Sequence, residues 1–259
     1  MKGILTIAAV IFSVIRLIAA NGSFQIDSIQ PKDTNRNYIL AVPILFYGNE
    51  TKWGAGVSSG YYFAKEGKGK VSNIQGTFIY TQKNQARFTL LPKFYTENRD
   101  FFYSGHLKLS YYPDKFFGIG RNTPDSLEEN YISKDISLLV QRQRVLFDVM
   151  MIGFQAQWSY YKASDFQTNG QLINKAIKGS DAFFTSGLGI LVTWDARDNF
   201  FYPTEGEFYK LSLMINSKLF GSHLEFSQVT LDLRNYYPIQ HKHLFSLQVY
   251  GDFTWGNTP

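Results

Sequence analysis

Apolar and polar residues alternate one by one over segments of ten residues and more, and this pattern constrains the fold of the chain more than any other feature. In the segment 101–111, Phe101 and Tyr111 belong to one alternating set, while Ser104 and His106 belong to the other. Successive side chains of a β-strand point to opposite faces, so the alternation predicts strands with one apolar and one polar face. A helical period is almost absent after residue 37, and the predicted class is all-β.

The alternation divides the chain into eleven predicted strands. Their bounds are 38–47, 53–64, 71–82, 86–95, 101–112, 131–142, 145–161, 182–194, 206–219, 224–237 and 243–255. Many are 10 to 14 residues long, whereas globular strands average about 5 to 6 and a tilted membrane-crossing strand needs about 9 to 11. Long, hairpin-connected strands predict an antiparallel transmembrane β-barrel of the outer-membrane type over residues 38–259. The alternative is a soluble β-sandwich or lipocalin-like barrel, which would have shorter strands and an apolar inner face.

Aromatic composition supports the membrane interpretation. Aromatic residues make up 17% of the chain and charged residues 18%, against about 25% charged residues in a typical soluble domain. The longest uncharged run has 13 residues, which is too short for a transmembrane helix of about 18 to 20. Aromatic residues at strand ends are predicted to form interfacial girdles. The candidates are Tyr61, Tyr62, Phe63, Phe101, Phe102, Tyr111, Tyr112, Tyr160, Tyr161, Tyr236 and Tyr237.

The polar set of each strand is predicted to face the lumen, because a charged side chain against lipid costs about 2 to 4 kcal/mol near the membrane midplane. The residues with this prediction are Ser104, His106, Lys108, Gln155, Gln157, Gln248 and Asp252. In the strand 224–237 the apolar residues change from even to odd positions, which predicts a bulge near Ser227.

Connection lengths indicate which side of the membrane is outside. The connections 113–130 and 162–181 are long, whereas those near 141–144 and 196–205 are shorter. The long connections follow odd-numbered strands and therefore emerge on one side, as the extracellular loops of outer-membrane barrels do.

Residues 1–22 have the pattern of a secretory signal peptide. Lys2 provides the positive n-region, residues 4–15 an apolar h-region, and Ala20-Asn21-Gly22 a small-x-small cleavage pattern. The alternative is a short buried helix. A short segment, 23–37, would then precede the first strand of an exported protein.

Several kinds of chemistry are excluded or disfavoured. The absence of cysteine excludes disulfides and thiolate sites. The net charge of +5 is spread along the chain, so no nucleic-acid partner is predicted. His241 and His243 could share a strand face, but no carboxylate lies nearby to complete a metal set. Gly118 and Gly120 lack the following helix of a nucleotide site and are interpreted as flexible loop residues. No metal, cofactor or catalytic residue is predicted.

Asp195 and Asp198, with Arg197 between them, could form a catalytic carboxylate pair, but a tight turn explains these three residues better. Asp and Asn favour turns because they hydrogen-bond to their own backbone, and Arg197 can neutralise both carboxylates. Pro203 and Gly206 mark the entry into the next strand. We interpret all five as structural.

Three segments resemble a known family. Residues 195–199 with 203–206 resemble the D-x-R-D-N…P-T-x-G turn of bacterial surface-antigen (D-fifteen-type) barrels, the barrel domains of the outer-membrane protein assembly and two-partner secretion transporter superfamily. Residues 116–123, which include Gly118 and Gly120, resemble its F-Y-G-I-G-N-x-T segment. Residues 43–47 and 53–56 fit its first hairpin. The resemblance spans about residues 38–259.

The resemblance implies a sixteen-stranded barrel in the bacterial outer membrane, whose partners are outer-membrane lipid and unfolded outer-membrane protein clients. The segment 23–37 leaves no room for the polypeptide-transport-associated domains of the assembly-type members. An odd number of strands cannot close a bacterial barrel, so the eleven strands are expected to be an incomplete part that ends before the family's Arg-Gly lid loop.

Three functions remain open at this point. The first is an assembly or translocation barrel without enzymatic activity. The second is a passive pore or surface adhesin. The third and least favoured is a membrane-embedded lipid hydrolase, for which His106 and Ser110 on one strand face are the only candidate pair.

Overall fold

In the part of the chain that the structure describes, eleven antiparallel strands form a single sheet in which every strand pairs with its neighbours along the chain. The computed structural model describes residues 37–63, 71–98, 100–119, 123, 128–168, 170–174, 180, 182–200, 202–240 and 243–258. The predicted signal peptide and the segment 23–36 lie outside these residues. The strands are β1 Tyr38–Gly48, β2 Lys52–Phe63, β3 Ser72–Thr81, β4 Ala86–Tyr95, β5 Phe101–Phe116, β6 Glu129–Leu146, β7 Met150–Ser164, β8 Phe183–Asp195, β9 Gly206–Asn216, β10 Phe226–Gln240 and β11 His243–Gly256.

The all-β prediction is therefore confirmed, with all eleven predicted strands present. Within the described residues no ladder joins β1 to β11, so the sheet is not closed, which is consistent with an incomplete barrel. A short helix, Gln171–Asn174, and a 3₁₀ turn, Lys218–Phe220, lie in connections. No helix in the described part of the chain combines the length and apolar character needed to cross a membrane.

The predicted turn near 141–144 is wrong. β6 continues to Leu146 and the hairpin turns at residues 147–149. Phe147 and Asp148 have φ angles of 52° and 59°, the left-handed conformation that tight hairpins require and that usually selects Asn or Gly. Phe147 is not a typical turn residue, so the sequence does not indicate the turn there. The polar residues 141–144 just before it do resemble a turn.

The predicted bulge near Ser227 is also wrong. β10 begins at Phe226, and its register with β9 and β11 is continuous from there to Tyr236. The irregularity lies between Pro238 and Gln240 instead. The change of the apolar residues from even to odd positions has a simpler cause, because Leu224 precedes the strand. Strand β9 likewise ends at Asn216, before the predicted 219.

One face of the sheet is concave and, apart from β1, mostly polar. The Gln155 amide of β7 donates to Ser212 Oγ of β9 over 2.9 Å, and Lys210 Nζ of β9 donates to Gln141 Oε1 of β6 over 3.1 Å. Contacts that pass over intervening strands are possible only on the concave side. The register places the predicted lumenal residues on this same face, and that prediction is confirmed.

The convex face is apolar and carries two rows of aromatic residues. The connections 117–128 and 165–182 define the long-loop end of the sheet, and the opposite end is the short-turn end. Convex aromatics near the long-loop end are Tyr47, Trp53, Tyr80, Tyr111, Tyr160, Phe184 and Trp255. Those near the short-turn end are Tyr61, Phe63, Phe94, Phe101, Tyr103, Trp194, Tyr209, Tyr237 and Phe245.

Five of the predicted girdle residues are wrong. Two consecutive residues of a strand cannot share a face, so only one member of each aromatic pair lies on the convex side. Tyr62, Phe102, Tyr112, Tyr161 and Tyr236 lie on the concave face.

Glycines permit close approach of neighbouring strands on the concave face. A Cβ atom on Gly153 would lie 1.9 Å from the carbonyl oxygen of Arg142, and one on Gly189 would lie 2.1 Å from that of Leu213. Any side chain at these positions would force the strands apart, so the local curvature depends on glycine.

Candidate functional site: a cationic cluster on the concave face

The turn between β8 and β9 holds two carboxylates in different environments. Arg197 donates to both oxygens of Asp195, from Nε over 2.8 Å and from Nη2 over 2.9 Å. Asp198 instead accepts from the backbone N–H and the hydroxyl of Thr204, over 2.9 and 2.5 Å, and from Glu205 N–H over 3.2 Å. The single arginine therefore pairs with one carboxylate, and the other organises the turn.

The turn hydrogen bonds also set the ionisation of Asp198. Partial burial by itself would raise the pKa of this carboxyl group, but the hydrogen bonds from Thr204 and Glu205 lower the pKa below its usual value. The ionised form is the one that accepts these bonds, so the turn and the charge support each other.

The remaining predicted residues do not converge on one place. Gly206 has a φ of 98°, and a Cβ there would lie 2.3 Å from the carbonyl oxygen of Ala196. Pro203 is partly exposed in the same turn. Gly118, with a φ of 95°, follows β5 and thus lies at the opposite, long-loop end. Gly120 lies outside the described residues.

Aromatic rings hold the Arg197 guanidinium. Its Cζ atom lies 5.0 Å from the ring centroid of Phe200 and 4.6 Å from that of Phe208, and its side chain is only 7% exposed. Lys93 Nζ lies 4.6 Å from the Phe200 centroid, and Arg234 Cζ lies 5.3 Å from the Phe208 centroid. Stacking of cations on aromatic faces fixes the side chains of strands β4, β9 and β10 against this turn.

A second acid–arginine pair lies on β10. Arg234 Nε donates to Asp232 Oδ1 over 2.9 Å and its Nη2 to Oδ2 over 2.5 Å, while the Gln248 amide donates to Oδ1 over 2.9 Å. Sequence reasoning missed this pair. The signal was available, because Asp232-x-Arg234 has the same spacing as Asp195-x-Arg197 and alternation places both members on one face.

We call Lys93, Asp195, Arg197, Lys210, Asp232 and Arg234 the cationic cluster. Its members other than Asp232 line a cavity of about 360 Å³ in the concave face. Four cations face two carboxylates, and both carboxylates are engaged by the arginines. Lys93 and Lys210 make no ion pair with a carboxylate of the described residues, which leaves two positive charges directed at the cavity.

A network of neutral side chains forms the wall beside the cluster. Gln141 accepts from Ser104 Oγ over 3.0 Å and donates to Gln155 over 2.8 Å, and Gln155 continues the chain to Ser212. Gln143 accepts from the Thr193 hydroxyl over 2.8 Å. Because Gln141, Gln143 and Gln155 are each less than 7% exposed, these bonds make the wall rigid.

The structure does not bring His106 and Ser110 together. His106 and Ser110 share a face of β5 but stand four residues apart, about 13 Å along a strand, which is beyond hydrogen-bond reach. No group of three metal-ligating side chains occurs within the described ranges. His241 lies outside them, so the predicted His241–His243 pair has no description. The site can attract anions, and within its described residues no hydroxyl group hydrogen-bonds to His106.

This chain is similar to known proteins in both sequence and fold. The model described as the Omp85 superfamily domain matches residues 65–258. Among solved structures, the fold is similar to the crystal structure of BamA from Haemophilus ducreyi lacking POTRA domains 1-3, with a TM-score of 0.50 and 13% identity over 85% of this chain and 42% of that chain. No curated protein matches. At this identity the likeness concerns the fold, and this chain spans less than half of that structure. The family match covers most of the sequence and agrees with the family resemblance of its motifs, so the chain belongs to the Omp85 superfamily.

Proposed function

We propose that this chain forms part of an outer-membrane barrel that assembles or translocates outer-membrane proteins. The observation that carries the proposal is the two-faced sheet within an Omp85 domain. Its convex face is apolar with two aromatic rows, and its concave wall is polar and carries two lysines, Lys93 and Lys210, that form no ion pair with a carboxylate of the described residues. Membership of the superfamily supports an outer-membrane location. Export by residues 1–22 remains a prediction.

The orientation follows from the connections. In outer-membrane barrels short turns face the periplasm and longer loops face outward, so we place the long-loop end outside. Strands β5, β6 and β7 continue past the aromatic row at that end, with bounds Phe116, Glu129 and Ser164. The cationic cluster lies at the short-turn end and therefore opens toward the periplasm, from which a client polypeptide would arrive.

The chemistry of the wall suits an extended polypeptide. Gln141, Gln143 and Thr193 line the cavity as a polar wall whose groups are already hydrogen-bonded, and Lys93 and Lys210 beside it attract carboxylates. The turn residues Asp195, Arg197, Asp198, Pro203 and Gly206 keep a structural role in this proposal, since they hold the rings and cations in place. No covalent step is involved.

Depletion of the protein from growing cells tests the proposal. We expect folded, heat-modifiable outer-membrane barrels to fall several-fold, because their insertion would lack a catalyst; semi-native gels of outer-membrane fractions measure this. Wild type and a Lys83→Gln control in the exposed β3–β4 turn should restore them. A Lys93→Gln/Lys210→Gln variant should restore them only in part. Unchanged barrel levels together with reduced uptake of small solutes would instead identify a passive pore.

A further inference from the structure

Two lysines face each other on the convex surface. Lys134 of β6 and Lys162 of β7 are direct partners in the antiparallel register, and both are exposed. The Cβ atoms of such a pair lie about 4.5 to 5.5 Å apart, and like charges directly opposite each other destabilise a sheet. An anion between the two ammonium groups would offset this repulsion.

No carboxylate of the described residues supplies that anion. Asp135 is adjacent in sequence but belongs to the concave set and binds Lys108 Nζ over 2.9 Å. Lys115, on the neighbouring strand, pairs with Glu128. The register surrounds the two lysines with uncharged residues of the convex face: Tyr111, Ile132, Ile136, Tyr160 and Ser164.

The pair lies at a defined level of the sheet. Lys134 is the cross-strand partner of Tyr111, with Nζ 5.7 Å from its ring centroid, and Lys162 follows Tyr160 by two residues toward the long-loop end. Both tyrosines belong to the aromatic row at that end. Aromatic rows mark the boundary between hydrocarbon and headgroups, so the two ammonium groups stand at the level of lipid headgroups.

We propose that Lys134 and Lys162 together bind a phosphate group of a lipid in the outer leaflet. Two ammonium groups complement a phosphate monoester, which carries a charge of about −1.5 to −2 near neutral pH. Lysine binds phosphate as a point charge, and the close spacing lets both side chains reach one group. The inference rests on the outward orientation in the proposed function, but it concerns a different surface from the cationic cluster.

Thermal unfolding of the full-length protein, extracted from outer membranes in mild detergent, tests the site. Added bisphosphorylated lipid A should raise the Tm of the wild type and of Lys83→Gln by several degrees. The double variant Lys134→Gln/Lys162→Gln should lose this shift and weaken lipid A binding at least tenfold. Without lipid it should be no less stable than wild type, because the repulsion is removed. Lys134→Arg/Lys162→Arg, which keeps both charges, should retain the shift.

Three results would overturn the proposal. They are an equal shift with dephosphorylated lipid A, an unchanged shift in the glutamine double variant, and an equal shift with inorganic phosphate alone, which would indicate a site for a free anion. The depletion assay is independent. If the wild type shows no response to lipid A but depletion lowers barrel assembly, only the lipid site is refuted. If the wild type responds to lipid A but depletion leaves barrel assembly unaffected, only the assembly function is refuted.

Discussion

The concave wall formed by β5 to β9 and the concave wall formed by β1 and β2 belong to one sheet but differ in their side chains. In the first, Gln141, Gln155 and Ser212 are buried and bonded across strands. In the second, the inner positions of β2 include Gly54, Gly56 and Gly60, and those of β1 are apolar, with Leu40 52% and Val42 48% exposed. The backbone register sets the position of a wall, whereas side chains that bridge strands set its rigidity.

The strongest test of this contrast inserts a side chain where the rigid wall is tightest. Gly153→Val should abolish the folded, heat-modifiable form, because its Cβ would meet the Arg142 carbonyl oxygen at 1.9 Å. Gly76→Val is the control, since the nearest atom to a Cβ there is 3.8 Å away. The folded fraction on semi-native gels measures both. A folded Gly153→Val protein would show that the strands can move apart to admit a side chain, which contradicts a rigid wall.

The next largest effect concerns the ion pair at the end of β8. Asp195→Asn leaves the Arg197 guanidinium, 7% exposed, without its charge partner, and should cost about 3 to 5 kcal/mol of unfolding free energy. Lys115→Gln breaks the more exposed pair with Glu128 and should cost about 0 to 1 kcal/mol. Urea unfolding measures both, and equal losses would contradict the assigned burial.

A smaller effect separates the two walls directly. Gln155→Ala removes bonds to Gln141 and Ser212 and leaves buried polar atoms unpaired, at about 1 to 3 kcal/mol. Ser58→Ala on β2 removes one half-buried bond to Thr77 and should cost about 1 kcal/mol or less. A double-mutant cycle of Gln155 with Ser212 should show coupling. Additive losses would mean that no network exists.

The smallest effect is a pH dependence of the β8–β9 turn. The folded pKa of Asp198 is lowered, so its ionised form stabilises the turn above the unfolded pKa of about 3.9, and this stabilisation is lost as the pH falls through the folded pKa. The amide resonances of Thr204 and Glu205 should shift in that range, and Asp198→Asn should abolish the shift. The β3–β4 turn, residues 82–85, contains no carboxylate and serves as the reference.

Alternation predicted the strands well, because period two is a local property; the bounds of β4 agree at both ends. Alternation could also have placed Tyr61 and Tyr62 on opposite faces of the sheet, and it could have identified the Asp232–Arg234 pair. It could not have found the contact of Lys93 with Phe200 or the hydrogen bond of Lys210 to Gln141, since both depend on the curvature of the intervening strands. The turn at Phe147 escaped prediction because its residue type does not match its backbone conformation.

The turn at residues 147–149 also affects the order in which the strands pair during folding. The hairpin of β6 and β7 joins fifteen residue pairs through only three residues, so its loop-closure entropy is small, whereas β5 with β6 and β7 with β8 must close long connections. Pairings of low sequence separation form first. The β1–β2 and β10–β11 hairpins are also short, but β6–β7 joins the most residue pairs of the three, so we expect it to nucleate the sheet and its neighbouring strands to add on both sides.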